Sequence, residues 1–268
     1  VILLVGASLT IRGFVELQRI DRGFKTEHTM FLQVPLDQKR YATIEQRSRF
    51  SQELIGRVQR LPGVATATIG DLPGFEASNS SSGTISGQPK IDGLTLNLID
   101  ADYLATLDLP LRAGRNLTPA EVEHGDHVAL ISETAAKLWP AGENPIGRTI
   151  QTDALVSGTP YNLAPAGATK EVTVVGIVGD THGRNLRRAP APAIFVPYPL
   201  RGPSLRFFIV KAHGDPKALT NMIRAEVRTM DKEQPFISPD TLDDIMDKQA
   251  IQPRFNMVLF GGLAAVAL

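Results

Sequence analysis

The 268-residue sequence contains no cysteine, a single tryptophan, and no excess of charge, since 28 Lys plus Arg balance 28 Asp plus Glu. Without cysteine there are no disulfides, no thiolate metal site and no cysteine nucleophile, and the redox compartment leaves no mark. Zero net charge gives no chain-wide attraction for phosphate backbones or anionic lipid, so nucleic-acid binding would require a local basic cluster. Arg184, Arg187 and Arg188 are the only candidates. The chain also lacks a G-x-x-x-x-G-K-[ST] loop, a G-x-G-x-x-G turn and a G-x-S-x-G elbow, which leaves no recognisable nucleotide cradle or exposed serine nucleophile. Nowhere does it carry the roughly 20 apolar residues of a full membrane span.

What it does carry is two shorter apolar runs, one at each end. Val1 to Ile11 meets its first charge at Arg12, and Met257 to Leu268 follows Arg254 and has no charge at all. Each is about half a span. Paired runs around ordinary globular sequence predict a domain looped out between two membrane helices. A secretory signal fits Val1 to Ile11 poorly, because no basic residues precede it and no small-x-small site follows. Phe14, Leu17 and Ile20 continue a helical spacing as far as Gly23.

Between the ends, patterns predict secondary structure. Thr29 to Leu36 reads as a strand, and Thr43-Ile44-Glu45-Gln46 has the form of a capping box before the apolar stripe Phe50, Leu54, Val58 and Leu61. Pro62-Gly63 stops that helix, and Val64 to Ile69 returns as a strand. A second strand-helix-strand unit consists of Arg206 to Ala212, a helix introduced by Asp215-Pro216 with the stripe Leu219, Met222, Ile223, Val227 and Met230, and a returning strand at Phe236-Ile237. Residues 76 to 202 differ in composition. Glu76 to Gly83 is expected to be a mobile polar loop and Gln151 to Lys170 a long irregular one; Leu94 to Ile99, Val128 to Ile131 and Ala193 to Val196 read as strands. Glu171 to Val178, rich in β-branched residues, is the strongest candidate for a central strand. The expected fold is α+β in two parts, with the middle inserted into a layered domain made by the two units.

Several groups invite a chemical reading. Glu123, His124, Asp126 and His127 surround Gly125, which fits a solvated turn better than a metal site. Gly179-Asp180-Thr181-His182 places an acid beside an imidazole just beyond the central strand, where α/β proteins often put catalytic groups, although turn shaping explains Asp180 and Thr181 equally simply. Asp240, Asp243, Asp244 and Asp247 alternate with Leu242, Ile245 and Met246, the pattern of a solvated amphipathic helix, and no calcium-loop motif is present. Asn79-Ser80-Ser81 fits a glycosylation sequon by chance, and Trp139 reads as core. No catalytic, cofactor-binding or metal residue is assigned on these grounds.

The order of several weak motifs is more specific than any one of them. These are Asp21-Arg22-Gly23-Phe24, Leu61-Pro62-Gly63-Val64, Tyr103-Leu104, Leu109-Pro110-Leu111-Arg112-Ala113-Gly114-Arg115 and Trp139-Pro140 with Asn144-Pro145-Ile146-Gly147-Arg148. Val175-Gly176-Ile177-Val178-Gly179-Asp180, Ala193-Ile194-Phe195-Val196-Pro197-Tyr198 and Gln252-Pro253-Arg254-Phe255 complete the series. Together they resemble the extracytoplasmic core domain of MacB/FtsX-type ABC transporter permeases over nearly the whole chain. The resemblance implies a periplasmic domain on the bacterial inner membrane. Its parts would be residues 1–23 (the outer half of a membrane helix and a juxtamembrane helix), 24–75 and 203–250 (a porter-like subdomain of two β-α-β units), 76–202 (a mainly β, Sabre-like insertion) and 251–268 (the approach to the next membrane helix). It implies a non-enzymatic domain without cofactor, coupled mechanically to a cytoplasmic ABC ATPase through the rest of the permease. Expected partners are a second permease copy, a periplasmic adaptor or chaperone, and the membrane through the flanking helices, with no nucleic acid. Export or efflux is the implied role. The alternative is a non-transporting scaffold that relays ATP hydrolysis to a periplasmic cell-wall enzyme, and a soluble enzyme using Asp180 and His182 is a third.

Overall fold

The structure, a computed structural model, describes residues 21–73, 80–85, 90–182, 189–237 and 239–245. Both terminal apolar runs, Asn79, Arg184, Arg187, Arg188, Met246, Asp247 and the 252–255 motif lie outside the described residues. No helix among the described residues is long and apolar enough to cross a membrane.

Strand β1 (Thr29–Pro35) is buried along nearly its whole length. Thr43 then caps helix α1 (Ile44–Val58) as the sequence predicts: its hydroxyl accepts from Gln46 N at 3.2 Å while Gln46 Oε1 accepts from Thr43 N at 3.1 Å. Two otherwise unsatisfied end donors are thereby paired. Phe50, Leu54 and Val58 are buried in one stripe, and strand β2 (Val64–Ile69) follows. The chain next lays down β3 (Ser80–Ile85), β4 (Ile91–Ile99), α2 (Tyr103–Leu107), β5 (Leu111–Gly114), α3 (Pro119–His124), β6 (Val128–Ser132) and α4 (Glu133–Ala136). After these come β7 (Thr149–Thr152), β8 (Asn162–Leu163), β9 (Glu171–Val178), β10 (Ala193–Pro197) and β11 (Gly202–Pro203). Finally β12 (Leu205–Ala212) leads through a 3-10 turn capped by Asp215 into α5 (Thr220–Met230), followed by β13 (Asp240–Thr241) and a helical turn at 242–245.

Two sheets result. The first has the order β13-β1-β12-β2 with every pairing antiparallel. Its two β-α-β units interleave, since β12 fills the gap between β1 and β2, and β1 fills the gap between β12 and β13. This is a split β-α-β arrangement. Helices α1 and α5 lie together, with Arg57 Nη1 of one 3.3 Å from Glu226 Oε2 of the other. The second sheet has the order β5-β9-β6-β10-β4-β3-β7, and β7 also pairs with β9. Strands β9, β6, β10, β4, β3 and β7 therefore close into a ring, which removes the exposed edges an open sheet would present. On one edge of β9, residues 171–173 pair with β7 and residues 176–178 with β5, which makes β9 as central as its composition predicts. The sheets are stitched where β2 runs into β4: Asp100 N donates to Ile69 O at 2.9 Å and Asp71 N to Leu98 O at 3.2 Å. One buried apolar cluster runs through both.

Several expectations need correction: Gln151 and Thr152, read as the start of an irregular loop, end β7, and Asp240, read as part of an amphipathic helix, opens β13. Ser80 to Gly83, read as loop, lies in β3 between β4 and β7. Backbone ladders on both sides, together with a 3.1 Å contact between Ser81 Oγ and Thr152 Oγ1, hold a segment whose side chains have little strand preference. Gly83 is needed there, because a Cβ would lie 2.5 Å from Leu94 Cδ2 and 3.0 Å from Gln151 O. The returning strand is Asp240–Thr241, opposite Phe31 and Met30, and not Phe236-Ile237. Gln234 Nε2 is bonded to Pro35 O at the end of β1 and the Arg224 guanidinium sits 5.2 Å over the Phe236 ring, so side chains and not a backbone ladder hold residues 234–236.

Candidate functional site

The residues with the most chemistry converge on the segment that enters β1. Asp21 Oδ1 accepts from Gly23 N at 2.9 Å and folds the chain into a turn, with Gly23 at φ 81°. A Cβ at Gly23 would lie 2.0 Å from the Asp180 carbonyl oxygen, so that position combines a left-handed backbone with a backbone contact that only glycine allows. One residue earlier, Arg22 O accepts from His182 N at 3.0 Å. Phe24 is then buried, and Lys25 N donates to Leu107 O at 2.9 Å at the end of α2. Residues 21–25 are thus gripped by the turn that follows β9 and by the end of α2.

Asp180, the acid singled out in the sequence, has a structural task here, while His182 contributes its backbone N and its imidazole Nδ1 is buried with no hydrogen-bond partner among the described residues. The Asp180 carboxylate accepts from Thr134 N at 2.7 Å and Thr134 Oγ1 at 2.8 Å, fixing the first turn of α4. The two oxygens are therefore engaged with α4, while the backbone of the same turn holds residues 22 and 23. The Asp240 group behaves similarly. Asp243 Oδ1 accepts from Thr26 Oγ1 at 2.6 Å, and Asp244 pairs with Lys217 at 2.8 Å, which holds its carboxyl below the ordinary range. Leu242 is fully buried. Asp108 receives Lys211 at 2.8 Å and Lys25 at 3.5 Å, and the Lys211 hydrogen bond lowers its pKa despite some opposing desolvation. Residues 21–26 and 243–245 consequently meet, joined by Thr26 and Asp243.

Among the described residues no group of His, Asp and Glu is placed to hold a metal ion. His127 Nδ1 lies 3.0 Å from Glu171 O and 3.1 Å from Thr169 Oγ1, while Gly125, at φ 66°, ends α3 between it and His124.

Three buried arginines, Arg47, Arg201 and Arg206, escaped the sequence reading. Arg47 on α1 is 1% exposed and its guanidinium donates to three backbone carbonyls: Tyr41 O at 2.8 Å, Pro160 O at 3.2 Å and Gly202 O. Arg206 on β12 is 2% exposed and sits 5.6 Å from the Tyr198 ring centre; burial lowers its pKa to about 10. The signal was present as a charge on a buried face. Arg47 falls in the stripe Ile44, Arg47, Ser51, Leu54, and Arg206 heads the alternating row Arg206, Phe208, Val210, Ala212.

The family profile of the MacB-like periplasmic core domain matches residues 1–230. The chain belongs to that family. It is the periplasmic domain of a MacB-like ABC transporter permease. Among solved structures, the periplasmic region of MacB from Actinobacillus actinomycetemcomitans superposes with a TM-score of 0.56 at 18% identity, covering 88% of this chain and 98% of that one. A domain of a putative permease from Porphyromonas gingivalis gives 0.51 at 16% identity, over 82% of this chain and 93% of that one. The extracellular domain of the noncanonic ABC-type transporter YknZ from Gram-positive bacteria gives 0.49 at 15% identity, over 75% and 91%. No curated protein matches in sequence. At these identities the MacB and Porphyromonas structures establish a shared α+β fold, and the family profile carries the assignment.

Proposed function

We propose that this MacB-like domain stands on the periplasmic side of the bacterial inner membrane, between two membrane helices of its permease. There it handles substrate or contacts a periplasmic partner while a cytoplasmic ATPase drives it mechanically. Residues 24–75 and 203–250 would form the porter-like part, with 76–202 inserted as the Sabre-like part. The observation that supports this best is the pairing of Thr26 Oγ1 with Asp243 Oδ1 at 2.6 Å, which brings the two connections toward the apolar runs to one place on the domain. A domain looped out between two spans returns both connections to the membrane, and their meeting at one place fits that arrangement. The reading extends to a permease dimer working in export or efflux, with force passing through the paired connections.

The test is topological. One cysteine at the exposed Ser157, in the cysteine-free full-length protein, is labelled with a membrane-impermeant maleimide in cells whose outer membrane has been permeabilised. Labelling of intact cells is expected. Labelling only after lysis, with the protein folded, would return the domain to the cytoplasm and end the proposal. Stimulation of ATPase activity by added cargo in liposomes would then favour transport over a scaffold role.

A further inference from the structure

We infer that the contact of Gly23 with the Asp180–His182 turn is a rigid latch through which movement of the first membrane connection is delivered to the closed ring, and not to the four-stranded sheet alone. The inference rests on the transporter reading above and adds where the force enters.

The two connections are held differently. The second is fastened to the four-stranded sheet: β13 pairs with β1, Leu242 is buried, and Asp244 is tied to Lys217 at the start of α5's leading turn. The first reaches that sheet through Thr26, which bonds Asp243, through His28, whose O accepts from Ala212 N at 2.8 Å and whose Nδ1 is 3.0 Å from Gly214 O, and through Asp108, shared by Lys25 and Lys211. Before it gets there it is clamped to the ring. Arg22 O receives His182 N at 3.0 Å, and the Gly23 Cα packs so tightly on the Asp180 carbonyl that no side-chain atom fits. The turn cannot yield easily, because Gly179 N is bonded to Pro110 O at 2.8 Å, Thr181 is buried, and both Asp180 oxygens are fixed by Thr134. Asp180 thus faces α4 with its carboxylate and the connection with its backbone, joining one to the other. When the first connection moves relative to the second, the ring must follow it, and the stitched crossing at Ile69, Asp71, Leu98 and Asp100 is where the two sheets would turn against each other.

The experiment uses the full-length permease with its ATPase in liposomes, carrying spin labels at Arg49→Cys on α1 and Lys137→Cys beside α4, both exposed. The distance between labels is measured without nucleotide and with ATP plus vanadate. The wild-type pair is expected to shift, and Gly23→Ala is expected to lose the shift while ATP hydrolysis continues. Gly142→Ala controls for strain: it has the same positive φ, at 88°, but an added Cβ meets nothing within 4 Å, and its shift should survive. A cross-linked Arg22→Cys/His182→Cys pair, which closes the latch covalently, should also retain the shift. A full shift in Gly23→Ala overturns the inference, as does loss of the shift on cross-linking, since the latch would then have to open. Absence of any shift in the wild type overturns it too, and maleimide labelling at Ser157 then tells whether the transporter reading falls with it.

Discussion

Arg47→Met should destabilise the domain by about 2–4 kcal/mol, which can be worked from its three acceptors. The Pro160 carbonyl belongs to an exposed residue and can turn to water when the guanidinium is gone, so its loss costs little. Tyr41 O and Gly202 O lie in half-buried and buried residues, and a buried acceptor left without its donor costs about 1–3 kcal/mol. Against this stands the relief of no longer burying a charge; a buried ion pair replaced by apolar groups can break even for that reason. Here the partners are backbone carbonyls that remain after the substitution, so the relief is partial. Met keeps the length of the side chain and limits the cavity, whereas Arg47→Lys can satisfy one acceptor at a time and should fall between Met and wild type. Urea unfolding followed through the buried Trp139 is the assay, with a midpoint about 1 M lower expected for Met at an m-value of roughly 2–3 kcal/mol/M. A Met variant within about 0.5 kcal/mol of wild type would refute the claim that this arginine stitches α1 to the ring-side carbonyls.

Three further perturbations follow from local geometry. Glu121, bonded through both oxygens to Arg115 at 2.6 and 2.8 Å and to the Thr118 cap, has its pKa lowered to about 2 by Arg115 first, so the native state holds its proton more weakly than the unfolded chain. Its contribution, about 1–2 kcal/mol after screening at the half-exposed Arg115, is present above about pH 4.5 and lost as pH falls toward 2; Glu121→Gln should flatten that stretch of the stability-pH curve. Asp180→Ala removes both acceptors from Thr134 and should lower stability by about 1–2 kcal/mol in a thermal melt, with Asp180→Asn losing less because its amide oxygen still accepts. Gly83→Ala forces Leu94 or Gln151 to move and should cost about 1–3 kcal/mol, visible as faster hydrogen exchange in β3 and β7.

The two β-α-β units were legible because their signals are local. A capping box, a stripe at steps of four and three, and an Asp-Pro start each depend on a few neighbouring residues, and Thr43, Leu54 and Asp215 do what those patterns predict. Strand order was not legible, since interleaving of the two units is decided by which edges meet in space. The polar β3 was missed for a related reason: its stability comes from ladders to β4 and β7, and its composition of serine and glycine points the other way. The short β8 and β11 pair only with each other, two residues apiece, which no periodicity can announce. At the candidate site, sequence adjacency suggested that Asp180 and His182 act together, yet they act on different neighbours 46 and 160 positions away, Thr134 and Arg22.

Such adjacency misleads in a way that has a physical cause. A turn after a central strand is a good place for catalysis because backbone donors and side chains there are fixed by the sheet, and the same fixity suits a mechanical joint. The two uses differ in where the polar atoms point. Here both oxygens of Asp180 accept from one threonine, and its backbone faces a glycine with no space between them. The buried Arg47 extends the same logic. Arg47 spends its donors on carbonyls of three separate segments, a use that binds no ligand but holds parts of the chain in register. For a domain whose proposed work is to move as two pieces, polar groups committed to fastening connections and seams are the expected investment of its chemistry.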